Sequence, residues 1–334
     1  MDGLGTAIDR IAAETGFSGV VRVHVDGAVA LARAYGLASR ACGRAHTVDG
    51  RLGIASGGKG LTALTVVSLI QDGVLELAQT ARSVLGPDLP LIGDDVTVEH
   101  LLAHRSGIGD YLDEDDAGDI DDYALSTPVH ELTGPEQYLP MLGGHPAKFA
   151  AGERFSYCNG GYVVLALIAE RATGTPFAEL VGQRVITPAG MADTAFLRSD
   201  ELGGDAAVGY VSLDGLRTNV FHLPVVGGGD GGVYSTAADI DTLWSALLAG
   251  RIVSPHWVAT MVRPRSEVPS EAMRYGLGFW LHQSGEAVML VGFDAGVSFR
   301  TVHHPTRGVT HTVLSNTSRG AWPVTRALDE LLAI

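Results

Sequence analysis

The chain has 334 residues, of which 46% are hydrophobic and 18% charged, a composition typical of a globular protein with a large core. Its formal net charge of −15 argues against nucleic acid and anionic membranes as partners, because both would repel it. Residues 1–15 lack the basic and apolar regions of a signal peptide, and no run approaches the roughly 18 apolar residues of a membrane span.

The N-terminal part of the chain predicts a helix followed by a β-hairpin. Leu4, Ile8 and Ile11 recur at helical spacing, which indicates a short amphipathic helix over residues 4–14. Two β-rich runs within 18–35 are joined by Asp26-Gly27, a dipeptide typical of tight hairpin turns.

Helical patterns dominate the middle of the chain, and strands return near its end. The predicted helices cover 59–72, 97–104, 160–172, 176–185, 237–249 and 322–332. The predicted late strands, an antiparallel meander, cover 275–282, 287–291, 296–303 and 309–316. This order indicates an α+β fold, in which one antiparallel sheet is formed by both chain ends and flanked by terminal helices. We expect an α/β subdomain of residues 1–55 and 272–334, a mostly helical subdomain of residues 56–271, and an active site between them.

Lysine is scarce in this chain, and one of its two lysines follows a serine by three residues. Lys59 and Lys148 are the only lysines among 23 basic residues. Arginine keeps its proton in proteins, whereas a desolvated lysine can act as a base. At the start of a helix, Ser56 and Lys59 would share one face, and the positive end of the helix would favour an oxyanion. Ser-x-x-Lys is a common pattern, so by itself it is a weak signal. If it is functional, it predicts Ser56 as the nucleophile and Lys59 as its base.

A second polar cluster precedes the predicted helix at 160–172. Tyr157 and Asn159 flank one residue, so in an extended loop both side chains project the same way. A tyrosine beside a lysine can carry a proton to a leaving group, and an asparagine amide can bind a substrate carbonyl and orient the lysine. Taken alone, this pair would favour a loop with a core tyrosine.

Together the two clusters resemble the serine β-lactamase and penicillin-binding-protein superfamily. Ser56-x-x-Lys59 stands before a helix, and Tyr157-x-Asn159 follows about a hundred residues later. Residues 96–107, 188–194 and 231–237 are similar to the branch with class C β-lactamases, D-Ala-D-Ala carboxypeptidases and esterases. The resemblance spans residues 17–316. It implies a β-lactamase/transpeptidase-like fold and an acyl-enzyme on Ser56, and it calls for no cofactor.

The family's third motif, a Lys- or His-x-Gly triplet facing the serine, is altered here. Its place is Gly292–Phe299, with Phe293 where a cationic or polar side chain is usual and Ala295 where glycine is usual. By this resemblance we expect substrate contacts from Phe293, Asp294, Ala295 and Gly296, with the Gly296 N–H as second oxyanion donor. Phenylalanine cannot bind a substrate carboxylate and Asp294 would repel one, which favours a neutral or cationic small molecule.

We therefore expect a serine hydrolase that cleaves an ester or amide of a small molecule. The altered third motif and the lack of an export signal favour this activity over a β-lactamase or a D-Ala-D-Ala carboxypeptidase. An acyl transferase in a biosynthetic pathway is a further alternative, since excluding water depends on pocket shape. A non-catalytic binding protein on the same scaffold is the least favoured interpretation.

Other polar patterns give weaker signals. Cys42 and Cys158 lack a metal-binding spacing, so we expect reduced thiols in a cytoplasmic protein. His100 and His104 have a spacing that can bind zinc, but no acidic third ligand is evident and no metal is expected. Residues 110–122 hold eight acids; a solvated surface loop is favoured, and a lid over the site is the alternative.

Overall fold

The computed structural model describes residues 2–113 and 118–333. Most strands in these ranges form one antiparallel eight-stranded sheet in the order β2-β1-β12-β11-β10-β9-β8-β7. The strands are β1 (Gly19–Val25), β2 (Ala28–Tyr35), β3 (Leu37–Ser39), β4 (Arg44–Ala45), β5 (Leu52–Gly53), β6 (Tyr234–Ser235), β7 (Ser266–Val268), β8 (Met273–Tyr275), β9 (Trp280–His282), β10 (Val288–Asp294), β11 (Val297–His304) and β12 (Val309–Ser315).

Helices cover both faces of this sheet. The α-helices are α1 (Asp2–Thr15), α2 (Gly58–Gln71), α3 (Arg82–Leu85), α4 (Val98–Leu102), α5 (Leu139–Leu142), α6 (Asn159–Thr173), α7 (Phe177–Val181), α8 (Thr187–Ala189), α9 (Ala237–Leu248), α10 (Pro255–Met261) and α11 (Ala321–Leu332). In the described ranges, no helix is long and apolar enough to cross a bilayer. The predicted α+β fold, with terminal helices and an inserted helical part, is confirmed.

The N-terminal hairpin forms at the dipeptide that predicted it. Asp26 and Gly27 have φ values of 50° and 80°, the left-handed conformation that a two-residue hairpin turn requires at both positions. Strand β1 then pairs with β12, from Gly19 opposite Ser315 to Val25 opposite Val309. The two ends of the chain thus close one sheet.

The predicted strand at 275–282 is wrong, because the chain turns back within it. Strands β8 and β9 pair with each other, and the Gly276 N–H donates to the Phe279 carbonyl at 2.9 Å. Gly278 adopts a φ of 86°, and a Cβ there would lie 2.2 Å from the Ala63 Cβ. The turn therefore depends on glycine and lets the sheet approach α2 closely. The predicted helix at 176–185 is likewise interrupted, since α7 ends at Val181 and a π-helical turn follows.

The core extends across both predicted subdomains. Leu64 of α2 and Val164 of α6 belong to the same buried cluster as Leu290 and Phe299 of the sheet. A second cluster, on the other face, joins α1 and α11 to β1 and β12. The predicted subdomain boundaries at residues 55 and 272 stay a prediction. The sheet and α2 share one hydrophobic core, so the two predicted subdomains pack together as a single unit.

Candidate active site

Ser56 lies in a tight turn between the sheet and α2. The turn is a 3-10 helix, Ala55–Gly57, in which Ala55 has an uncommon left-handed φ of 43°. A Cβ on Gly57 would lie 2.4 Å from the Phe299 ring, and one on Gly292 would lie 2.0 Å from the Ile54 carbonyl oxygen. These close approaches press strands β10 and β11 against the turn and fix the position of Ser56.

Lys59 is buried one helical turn beyond Ser56, with its side chain 2% exposed. Its Nζ lies 2.8 Å from Ser56 Oγ, 2.8 Å from Asn159 Oδ1 and 2.7 Å from the Asp230 carbonyl oxygen. These three contacts hold the Lys59 amine in one place, with its nitrogen beside the Ser56 hydroxyl. The short contact with Ser56 Oγ gives a direct path for a proton.

The ring of Tyr157 lies beside the same amine. Its centroid is 5.0 Å from Lys59 Nζ, and the ring stacks on Trp280 at 6.0 Å. Both Ser56 and Tyr157 line one groove of the protein surface. Four residues predicted from the sequence, Ser56, Lys59, Tyr157 and Asn159, therefore meet at a single point.

His104 holds the backbone on both sides of Tyr157. The Ser156 N–H donates to the His104 carbonyl at 2.9 Å, and the Cys158 N–H donates to His104 Nδ1 at 3.1 Å. Burial, assisted by the nearby positive charge of Lys59, lowers the pKa of His104 well below its usual value. A neutral imidazole can accept the Cys158 hydrogen bond, so His104 supports the backbone that carries Tyr157. No group of three potential metal-ligating side chains occurs within residues 2–113 and 118–333.

Asp110 fixes the start of α6, a role that its place in an acidic run did not suggest. Its carboxylate accepts the N–H groups of Asn159, at 2.5 Å, and Gly160, at 2.8 Å. Burial raises the pKa of Asp110, an effect that these backbone donors oppose. The residue that orients Lys59 is thus itself held by a buried carboxyl group.

The described ends of the acidic segment 110–122 form part of the site. Leu112, Gly118 and Ile120 line a cavity beside Ser56, and Asp113 forms an ion pair with Lys148. These ends therefore form part of the site wall, although Gly118, Asp119 and Asp122 are exposed to solvent as the charge pattern predicted. Residues 114–117 lie outside the described ranges.

The third-motif segment divides into residues that reach the site and residues that do not. Phe293, 37% exposed, and Asp294 line the cavity with Ser56. Ala295 is buried and its carbonyl accepts from Asn219 Nδ2 at 3.0 Å, while the Gly296 N–H donates to Ser318 Oγ at 2.8 Å.

The predicted substrate contacts of Ala295 and Gly296 are therefore corrected. Strand β10 ends at Asp294 and β11 begins at Val297, so these two residues form a tight hairpin turn. The only backbone donor of Gly296 is used inside the protein, which removes it as the second oxyanion donor.

Two depressions meet at Ser56. The first is a cavity of about 210 Å³ with two carboxylates, Asp230 and Asp294, in its wall. The same wall also contains five aromatic side chains, those of Tyr111, Tyr123, Tyr138, Tyr234 and Phe293. The second is the groove beside Tyr157, and its lining includes Trp280, Trp322, Arg154, Arg300 and Arg326. We call them the cavity and the groove.

Asp230 was missed from the sequence. It interrupts the glycine run 227–232, and its carboxylate accepts a hydrogen bond from the Tyr111 hydroxyl. The next residue, Gly231, packs so closely that a Cβ would lie 2.7 Å from the Ala55 carbonyl oxygen. A single acid within a glycine run was the available signal, because such runs allow a backbone to approach a site closely.

Comparison with known proteins agrees with this geometry. The Beta-lactamase family model matches residues 5–333. The chain belongs to this family.

Individual relatives share the fold along most of the chain. The crystal structure of a penicillin-binding protein from Bacillus halodurans is 32% identical with a TM-score of 0.91, covering 97% of this chain and 99% of that one. A penicillin-binding protein of Bacillus subtilis is 27% identical, covering 88% of this chain and 66% of that protein. Esterase EstB of Burkholderia gladioli is 32% identical, covering 59% of this chain and 52% of the esterase. The chain thus spans about half to two thirds of the length of these curated relatives, and the predicted resemblance is confirmed.

Proposed function

We propose that the protein is a serine hydrolase that cleaves an ester or amide of a small molecule through an acyl-enzyme on Ser56. The observation that carries this proposal is the 2.8 Å contact between Lys59 Nζ and Ser56 Oγ, with Asn159 Oδ1 at 2.8 Å on the same amine. A serine activated by an adjacent base, which a third group orients, is the arrangement of a covalent catalyst.

The reaction follows from these positions. The Ser56 hydroxyl gives its proton to a neutral Lys59 amine as Oγ attacks the carbonyl carbon, and the Ser56 N–H donates to the oxyanion. The proton then passes through Tyr157 to the leaving alcohol or amine, which departs as the carbonyl reforms on Ser56. A water molecule gives a proton to Lys59 as it attacks the acyl-enzyme, and that proton then passes to Ser56 Oγ as the acid departs, which restores the serine hydroxyl.

The walls of the site support a neutral or cationic substrate. None of the described residues that line the cavity is a lysine or an arginine, whereas Asp230 and Asp294 both face it. A carboxylate on the acyl half of a substrate would meet like charge there. A D-Ala-D-Ala peptide and a β-lactam carry their carboxylate on the amine side of the scissile bond, so the preference for an ester or amide hydrolase over these enzymes rests on Phe293 in the altered third motif.

A cytoplasmic location is part of the same proposal. Cys42 is an exposed free thiol and Cys158 is a buried one. Exposed free thiols are typical of reducing compartments.

Covalent labelling tests the proposal directly. A fluorophosphonate probe should label the protein at Ser56, and Ser56→Ala should abolish the label. Ser245→Ala, on the exposed face of α9, is the matched control and should label like the parent. Labelling of Ser56→Ala at another residue would refute the assignment. Intact-mass measurements with p-nitrophenyl esters and nitrocefin then identify the acyl group, and faster turnover of nitrocefin would favour a β-lactamase.

A further inference from the structure

The proposed function leaves open which acyl group enters the cavity, and the cavity wall contains an unusual pair of groups. Tyr138 is fully buried, lines the cavity, and its hydroxyl has no hydrogen-bond partner among the described residues. Buried hydroxyls are normally paired, because an unpaired one costs the free energy of its lost hydration. This hydroxyl therefore has the capacity to bind one further polar group.

The Tyr138 hydroxyl and the Asp230 carboxylate border the same space beside Gly228. A Cβ built on Gly228 would lie 3.2 Å from the Tyr138 hydroxyl oxygen and 3.3 Å from Asp230 Oδ1. Glycine at 228 leaves that space open. The other carboxylate oxygen of Asp230, Oδ2, accepts from the Tyr111 hydroxyl.

The charges around this space suit a cation. Burial, with the nearby charges of Asp230 and Asp294, raises the pKa of Tyr138 well above its usual value, and burial acts on Tyr111 in the same direction. Both phenols are therefore protonated at neutral pH, so Tyr111 donates to Asp230 and Tyr138 keeps an oxygen lone pair for an incoming donor. Aromatic faces around a cation add attraction.

The space also lies close to the nucleophile. The Asp230 carbonyl oxygen is 2.7 Å from Lys59 Nζ, which is 2.8 Å from Ser56 Oγ. Gly231, the residue after Asp230, packs against the backbone of Ala55 and Ser56. Asp230 and Ser56 also line the same cavity, so a group bound by the Asp230 side chain lies on the cavity side of the carbonyl that Ser56 attacks, which indicates an amino group on the acyl half of the substrate.

We propose that Asp230 and Tyr138 form a subsite for a primary ammonium group, and that the protein acts on amino-acid esters or amides with a free amino group. The ammonium donates to Asp230 Oδ1 and to the Tyr138 hydroxyl oxygen, and Asp294 adds negative charge in the same wall. This inference rests on Ser56 being the reactive serine.

Protection of Ser56 from the fluorophosphonate probe tests the subsite without requiring turnover. Alaninamide and isobutyramide have the same shape, but the first carries an ammonium where the second carries a methyl group. At pH 6.5 the α-amino group is largely protonated, since its ordinary pKa is about 7.7 to 8.0. Alaninamide, in its D or L form, should slow labelling at a concentration at least about tenfold lower than isobutyramide, as expected for a charge-assisted hydrogen bond.

Two variants assign the effect to these residues. Asp230→Asn should remove the preference for alaninamide, and Tyr138→Phe should reduce it about threefold to tenfold, because it deletes one hydroxyl. The hydroxyl has no partner in the described protein, so Tyr138→Phe should unfold at the parent's temperature.

The outcomes separate the two proposals. No probe label at Ser56 would overturn the proposed function and this inference with it. Normal labelling with equal protection by both amides, or a preference that persists in Asp230→Asn, would overturn the ammonium subsite alone.

Discussion

The cavity and the groove share Ser56 but carry opposite charge. Among the described residues, the charged side chains of the cavity wall are Asp230 and Asp294. Arginines outnumber acids among the described residues of the groove, whose charged side chains are Arg154, Glu271, Arg326 and Arg300, the last of them ion-paired with Asp329. The electrostatic potential is thus more negative on the cavity side of Ser56 than on the groove side. This difference favours a substrate with its positive end in the cavity and its negative end in the groove.

The centre and the walls also differ in how the chain builds them. Ser56 and Lys59 are one helical turn apart, so their contact depends mainly on α2 and the turn before it. The cavity wall combines segments as distant as residues 111–138, 227–232 and 293–297. Substitutions in the walls should therefore change selectivity, whereas substitutions at the centre should abolish the reaction.

The largest effect is expected at the centre. Lys59→Arg keeps a positive charge but replaces a group that can lose its proton with one that cannot. We expect kcat/KM for p-nitrophenyl acetate to fall about 10³-fold, within the range for loss of a general base. Lys148→Arg, which preserves the ion pair with Asp113, is the matched control and should stay within about threefold of the parent. A Lys59→Arg enzyme that kept a tenth of the activity would exclude Lys59 as the base.

We expect an effect of intermediate size on the stability of the fold, which should depend on pH through two buried histidines. His46 and His303 line neither the cavity nor the groove. Burial lowers the pKa of each from 6.5 to about 4. The unfolded chain therefore binds protons that the folded chain does not between these values, so stability is full above pH 6.5 and is lost as the pH falls toward 4. His46 should lower the free energy of unfolding by roughly 3 kcal/mol across this window, and the less deeply buried His303 should lower it by a smaller amount.

Urea unfolding from pH 7 to 4 measures this dependence. The raised pKa of buried Asp110 makes the protein more stable at low pH, which opposes the effect of the histidines. Because Asp110 is present in both proteins, the difference in unfolding free energy between the parent and His303→Gln reports the contribution of His303 alone. The variant should lose stability less steeply on acidification. Identical slopes would show that His303 takes up its proton without unfolding.

The smallest effect tests the groove. Arg326 is exposed on α11, so reversing its charge should act through solvent by about 1 kcal/mol. With Arg326→Glu, hydrolysis of the anionic ester 4-carboxyphenyl acetate should lose about fivefold in kcat/KM relative to hydrolysis of phenyl acetate. Arg10→Glu, at an exposed position of α1, makes the same change in net charge elsewhere and should leave that ratio unaltered. If the ratio is unchanged in Arg326→Glu, the positive charge of the groove does not act on the substrate.

The sequence predicted the parts of the site that depend on local geometry. Ser56 and Lys59 are linked by helical spacing, and Tyr157 and Asn159 by alternation in a loop, so periodicity placed each pair correctly. Asp230 has no such spacing to another site residue, and its role arises only when the glycine run folds against Ala55 and Ser56.

Tertiary context also decided the errors. The alternating residues of 275–282 fit one strand, but Gly276 and Gly278 allow a turn that packing against Ala63 selects. Gly296 occupies the position of an oxyanion donor by family spacing, yet Ser318, from a distant loop, takes its hydrogen bond. Neither partner could be identified without the folded chain.

The pairing of β1 with β12 has a consequence for how the protein forms. Gly19 and Ser315 are direct neighbours in the sheet although most of the chain separates them. Closing such a long loop carries a large entropic cost, and contacts between distant residues slow folding. During synthesis, the hairpin of β1 and β2 emerges first with one edge of β1 unpaired. We expect this edge to need protection from aggregation until the ribosome has released β12.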